Sequence, residues 1–172
     1  MTRARRTAAV LATTVLAAVL GTGMPAQAAS VDDYPYRTDT SQTADRWGFT
    51  KRQCVSFAAW RLAQHAHTIS NSRQHWGSAL HWDETARSLG DLVSYTPRIG
   101  TIAQWNAYES SAYYGGGSLT PNGTMRAGGY GHVGYVTRVW ADHSVTVEQY
   151  NMNGARSYSS VHVKAPRYLY VK

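Results

Sequence analysis

The chain has 172 residues and a formal net charge of +7, a length suited to one domain. Apolar residues make up 43% and charged residues 16%, with a mean hydropathy of −0.40, which excludes a disordered polyelectrolyte and a polytopic membrane protein. The single cysteine excludes an internal disulfide scaffold and a cysteine-based zinc finger or ribbon.

The first segment in chain order reads as a leader. Arg3, Arg5 and Arg6 precede an uncharged stretch rich in Ala, Val and Leu over residues 7–20, and Pro25-Ala26-Gln27-Ala28-Ala29 offers an A-x-A cleavage site. A basic start, an apolar middle and a small-residue cut site make residues 1–28 a secretory signal peptide. The apolar stretch is shorter than the ~20 residues of a spanning helix, so no stable membrane anchor is expected after cleavage. Arg5-Arg6 raises twin-arginine export, but the usual apolar and basic followers are missing. Cleavage leaves residues 29–172 as a single domain, and the loss of three arginines lowers the net charge from +7 to +4. A moderately basic exported domain suits an anionic polymer such as a cell wall. Nucleic acid is not expected, because the basic residues are scattered and no reading motif is present.

After the leader, residues 31–50 are polar and turn-rich, with Asp32, Asp33, Asp39 and Asp45. The spacing of Val55, Ala58, Ala59, Leu62, Ala63 and Ala66 predicts a helix over Gln53–Ala66. Trp76, Ala79, Leu80 and Ala86 predict a second helix over His75–Leu89 with an irregular entry, stopped by Gly90. Thr101–Trp105 reads as a short strand. Residues 106–130 are glycine-rich and polar and read as a long loop or flap. His132–Trp140, Val145–Asn151 and Arg167–Val171 read as strands. Helices first and strands after predict an α+β fold with an antiparallel sheet. Trp47, Trp60, Trp76, Trp82 and Trp105 are read first as core.

Two residues stand out for chemistry. A lone cysteine in an exported protein is either an inert core residue or a nucleophile. Cys54 falls in the first turn of the first helix, where unsatisfied N–H groups and the helix dipole lower a thiol pKa and favour the thiolate. His132 follows Gly128-Gly129-Tyr130-Gly131 and opens a strand, where its ring can stand over a cleft. Thiol attack on an amide needs such a base to take the thiol proton and return it to the leaving amine.

Five segments together resemble one family. They are Trp47-Gly48-Phe49 with Arg52-Gln53-Cys54-Val55-Ser56-Phe57-Ala58-Ala59-Trp60-Arg61-Leu62, Gly77-x-Ala79-x-x-Trp82, Pro97-Arg98-x-Gly100-x-Ile102-Ala103-x-Trp105, Gly131-His132-Val133-x-Tyr135-Val136, and Ser144-Val145-Thr146-Val147-x-x-Tyr150-Asn151. In order and spacing they resemble the CHAP domain, the cysteine, histidine-dependent amidohydrolase/peptidase. The resemblance runs over nearly all of residues 32–172. It implies a papain-like α+β fold with N-terminal helices packed on an antiparallel sheet. It further implies hydrolysis of amide bonds in bacterial peptidoglycan, by an N-acetylmuramoyl-L-alanine amidase or a stem or cross-bridge endopeptidase. Cys54 then resembles the nucleophile and His132 the base. A secreted, cell-wall-associated monomer with peptidoglycan as partner is expected, and no cofactor. Asp32, Asp33, Asp39 and Asp45 resemble the calcium loop of some members, but their spacing does not match an EF-hand.

The chain departs from the family at the residue that orients the histidine. Members usually place a Glu two residues before the strand's Asn; here that place holds Gln149, and Glu148 lies one step earlier. Alternation along a strand keeps Glu148 and Gln149 on opposite faces. A two-residue turn at Asp142-His143 pairs Val136 with Gln149 and Gly134 with Asn151, setting Gln149 and Asn151 on the face of His132. A three-residue turn reverses the parity and brings Glu148 round. The two-residue form is expected, with Asn151 or Gln149 accepting the imidazole N–H and Glu148 solvent-facing or one layer away. The Cys54 backbone N–H, with the Gln53 side chain as a further donor, would receive the oxyanion. Tyr108, Tyr113, Tyr114 and Tyr130 would place aromatic faces in a flap at the site's mouth. The alternative is a cell-wall-binding module whose catalysis is impaired by the missing Glu.

Overall fold

The structure, a computed structural model, describes residues 31–115 and 118–172. The leader expected over residues 1–28 lies outside the described residues. Helix α1 (Cys54–Gln64) starts from an extended Gln53 and buries Ala58, Ala59 and Leu62 of the stripe its spacing predicts, with Phe57 and Trp60 besides, while Val55 and Ala63 are half-buried and Ala66, past its end, is exposed. It ends where the His65 and His67 N–H groups both turn back to the Leu62 carbonyl and Ala66 takes a left-handed φ of 63°.

The single helix expected over His75–Leu89 is instead broken into pieces. A four-residue α2 (Asn71–Gln74) is followed by left-handed His75 and Gly77, then a 3₁₀ turn (Ala79–His81) and α3 (Trp82–Ser88). The break lets Trp76 and Trp82 both turn into the core, with ring centroids 5.1 Å apart. Gly90, at φ 81°, ends α3 as expected.

Among the described residues eight strands form one sheet: β1 (Leu92–Ser94), β2 (Ile102–Trp105), β3 (Ser110–Tyr114), β4 (Gly123–Arg126), β5 (His132–Val139), β6 (Val145–Tyr150), β7 (Tyr158–Val163) and β8 (Arg167–Tyr170). Their order is β1-β8-β2-β5-β6-β7-β3-β4, and every pairing is antiparallel. One face carries Ile102, Val133, Tyr135, Tyr150 and Leu169 and packs on α1 and α3 through Phe57, Leu62 and Trp82. The other carries Ala103, Trp105, Val136, Val147 and Val163, covered by Met125 and Ala127. The five tryptophans read as core are all buried.

Residues 106–130 are not the expected loop. Within them Ser110–Tyr114 pairs with Gly123–Arg126, β3 on β4, and extends the sheet through Tyr113↔Val163 and Tyr114↔His162. Met125 is the one buried residue of β4, so this strand lacks the apolar alternation that would reveal it.

The β5–β6 connection corrects a second expectation. Trp140 N–H donates to the Ser144 carbonyl at 2.9 Å, leaving Ala141, Asp142 and His143 as a three-residue turn with His143 left-handed at φ 63°. Alone, that turn would bring Glu148 round to His132. A bulge reverses it: the pairs run Val139↔Val145 and Arg138↔Thr146, then Val136↔Val147 and Tyr135↔Glu148, with Thr137 left over on β5. The extra residue restores the parity, so Gln149 shares the face of His132 and Gly134, while Glu148 shares the face of Tyr135 toward α1.

Candidate active site

Cys54 opens α1, and the first residues of β5 lie beside it. The β5–β6 pairs end at Tyr135↔Glu148, whereas β2 stays paired with β5 as far as Trp105↔His132. In that opening the Val133 N–H is one of the groups that pull the Cys54 thiol pKa downward, which places the thiol next to the residue following His132. Burial pushes the thiol from 9.0 up to about 11, against the opposing pull of the Val133, Val55 and Cys54 N–H groups. Position at a helix start thus does not favour the resting thiolate, as the sequence suggests; desolvation outweighs those donors.

His132 is 3% exposed, and burial lowers its pKa from 6.5 to about 4, partly offset by the bond to Gln149. Its Nε2 donates to Gln149 Oε1 at 2.9 Å. The Gln149 amide is held from its other end, where Nε2 donates to Ser159 Oγ at 3.2 Å. The Trp105 ring stands 5.9 Å from the imidazole. Gly134 makes room for this arrangement: a Cβ there would lie 2.3 Å from Val147 Cγ1 and 2.9 Å from the Glu148 carbonyl oxygen.

The other two polar residues considered for the site go elsewhere. Asn151, just past β6, is left-handed at φ 58°. Its Nδ2 donates to Gln53 Oε1 at 2.6 Å and its Oδ1 accepts the Arg156 N–H at 2.8 Å. It therefore braces the residue before Cys54 rather than the imidazole. Glu148 is not solvent-facing. It is buried against α1, where Arg61 binds it at 2.7 Å and also binds Asp33 at 2.8 Å.

Beside Cys54 opens a cleft of about 530 Å³, with Gln53, Asn71, Tyr130 and Arg156 among its lining. Gln53 accepts from Asn151 through Oε1, which leaves its amide N–H groups for the cleft. Of the four tyrosines expected at the mouth, Tyr130 lines it and is 79% exposed. Tyr108 lies beside Arg126, and Tyr114 is buried against His162. Beneath the cleft, Ser56 on α1 donates to Asp45 and meets the Tyr34 hydroxyl, while Asp45 also accepts the Trp47 and Phe49 N–H groups. The sequence reading missed Ser56 and Arg156.

The aspartates compared with a calcium loop are dispersed. Asp32 accepts from Tyr150, Asp33 pairs with Arg61, Asp39 with Lys51, and Asp45 is taken by backbone and Ser56. No group of three or more metal-ligating side chains forms among the described residues.

Residues 44–151 match the CHAP domain. The chain belongs to the CHAP domain family. The matched stretch contains Cys54, His132, Gln149 and Asn151 and stops before Arg156. The chain is 30% identical over 118 residues to N-acetylmuramoyl-L-alanine amidase sle1 of Staphylococcus epidermidis, covering 69% of this chain and 28% of that protein. It is 32% identical over 112 residues to the probable autolysin SsaALP of Staphylococcus aureus, covering 61% and 34%. The chain therefore spans about a third of the length of these relatives. A crystal structure of an N-acetylmuramoyl-L-alanine amidase from Staphylococcus aureus is similar in fold, with a TM-score of 0.57 at 24% identity over 83% of this chain and 38% of that one.

Proposed function

We propose that this CHAP domain is a secreted, cell-wall-associated peptidoglycan hydrolase that cleaves an amide bond of cell-wall peptides by a Cys/His thiol mechanism. The observation that carries the reading is the Cys54 thiol next to the Val133 N–H at the start of β5, where the His132 imidazole is held through Nε2 by Gln149. With Nε2 engaged, Nδ1 is the ring atom left to exchange a proton with the thiol.

The ionisation of the two groups sets the order of events. A thiol near 11 and an imidazole near 4 rest as a neutral pair. The proton therefore passes from sulfur to His132 as sulfur bonds to the amide carbon, not before. The oxyanion meets the Cys54 backbone N–H and the Gln53 amide. Collapse breaks the C–N bond, His132 protonates the leaving amine, and a thioester remains on Cys54. Water, giving its proton to His132, attacks the thioester, releases the carboxylic acid and restores the thiol. Gln149 holds the ring without adding charge, so it stabilises the imidazolium less than a carboxylate would.

Export by cleavage of residues 1–28 belongs to the same reading, as does a substrate of bacterial peptidoglycan. A zymogram on purified cell wall, comparing the chain with Cys54→Ser, tests it. Clearing is expected from the first alone, with kcat reduced at least ~10³-fold in the variant. Mass spectrometry of the released fragments then separates an amidase from an endopeptidase. Wall binding without released fragments would instead support a binding module whose catalysis is impaired.

A further inference from the structure

We propose that Arg156 makes this cleft selective for a peptide amide flanked by a free carboxylate. The inference rests on the hydrolase reading and names the kind of substrate it takes. Among the described residues that line the cleft, Arg156 carries the one charged side chain. No carboxylate pairs with it among the described residues. The neighbouring cations are committed: Lys51 to Asp39, Arg61 to Asp33 and Glu148, and Arg52 to the Arg156 carbonyl oxygen at 2.7 Å.

The position of Arg156 is set from three sides. Its N–H donates to Asn151 Oδ1 at 2.8 Å, its carbonyl accepts the Arg52 guanidinium, and its backbone is left-handed at φ 49°. Asn151 in turn donates to Gln53, the residue before Cys54. The guanidinium therefore springs from a frame tied to the residue preceding the thiol. Its own contact is neutral: one terminal nitrogen donates to Gln42 Oε1 at 2.6 Å. That bond orients the planar group without cancelling its charge and leaves donors of the fork free.

A guanidinium beside a cleft lined otherwise by neutral groups is the complement of a carboxylate, which it can bind through two parallel N–H···O bonds. The peptide entering this cleft brings its scissile carbonyl to Cys54. The carboxylate in question is thus a free acid on a residue adjoining that bond, on the side of the 151–156 loop. Arg156 lies five residues past the stretch that matches the family model.

Soluble peptidoglycan fragments, native or with their carboxylates converted to methylamides by carbodiimide coupling, supply a matched pair of substrates. The wild-type chain is expected to show a kcat/KM ~10–100-fold higher on the native fragments, mostly through KM. Arg156→Gln is expected to bring that ratio close to one, and Arg156→Lys to keep part of it. Gln at this position retains the backbone N–H and carbonyl that make the frame, and a thermal melt reports whether the variant has folded. A wild type that cleaves both substrates alike, or an Arg156→Gln variant that keeps the wild-type ratio, overturns the role given to Arg156 while the hydrolase reading stands. A wild type that cleaves neither overturns the hydrolase reading itself.

Discussion

His132 and His162 are both buried, both bonded through Nε2 to a side-chain oxygen, and both shifted downward in pKa first by desolvation. His132 opens β5, whereas His162 pairs with Thr146 near the β5–β6 turn, at the other end of the same strands. His162 is enclosed. It stacks between Tyr114 and Trp140, at 4.5 and 4.4 Å, and its Nε2 meets Ser144 Oγ at 2.6 Å, with Ser144 held by Asp142. His132 stands instead where β5 and β6 part and a thiol enters beside the next residue. A perturbed imidazole therefore marks a site only when a reacting partner and a cleft adjoin it.

The largest effect that could break this comparison is on activity. His132→Ala is expected to lower kcat on cell wall by ~10³-fold or more, and His162→Gln to leave it within about twofold while lowering the melting temperature. Loss of activity in both variants, with folding intact, would contradict the distinction.

The next effect separates the residues of β6. Gln149→Ala is expected to reduce kcat ~10–100-fold with little change in KM, because the ring loses its orientation and not its substrate. Glu148→Gln is expected to keep most of kcat and to cost about 2 kcal/mol of stability, since Arg61 loses a buried partner and keeps Asp33. Denaturant titration beside steady-state rates reads both. If Glu148→Gln costs more kcat than Gln149→Ala, the orienting role passes to Glu148.

The smallest effect sharpens the contrast through pH. The acid limb of kcat/KM is expected near pH 4 and not near 6.5, because that limb reports the free enzyme's imidazole. Stability follows the same shift. As pH falls through 6.5 the unfolded chain takes up a proton at His132, while the folded chain does not until about 4. Stability is therefore fully present above 6.5 and declines as pH drops toward 4, by up to ~3 kcal/mol from His132 alone. His132→Gln should flatten that slope; an unchanged slope would assign it to other groups, with His162, shifted in the same direction, first among them.

Much of this architecture was legible in the chain. The apolar spacing from Val55 to Leu62 marked α1, and runs of β-branched and aromatic residues marked β2, β5, β6 and β8. What escaped has a common cause. The paired strands β3 and β4 and the strand β7 draw their order from pairing with neighbours more than from their own apolar pattern. The break at His75 and Gly77 answers to the burial of Trp76 and Trp82, which a helical repeat does not reveal.

The sequence by itself determined the family, a cysteine at a helix start and a histidine at a strand start, because those depend on local pattern and ordered motifs. Only the tertiary structure decided that Gln149 meets His132, that Asn151 braces Gln53, and that Glu148 pairs with Arg61. One bulged residue, Thr137, sets that choice by changing which face each side chain takes, and no local signature announces it. The directions in which the thiol and imidazole pKa values move were likewise decided in three dimensions, since desolvation is a property of the surroundings and not of the residue.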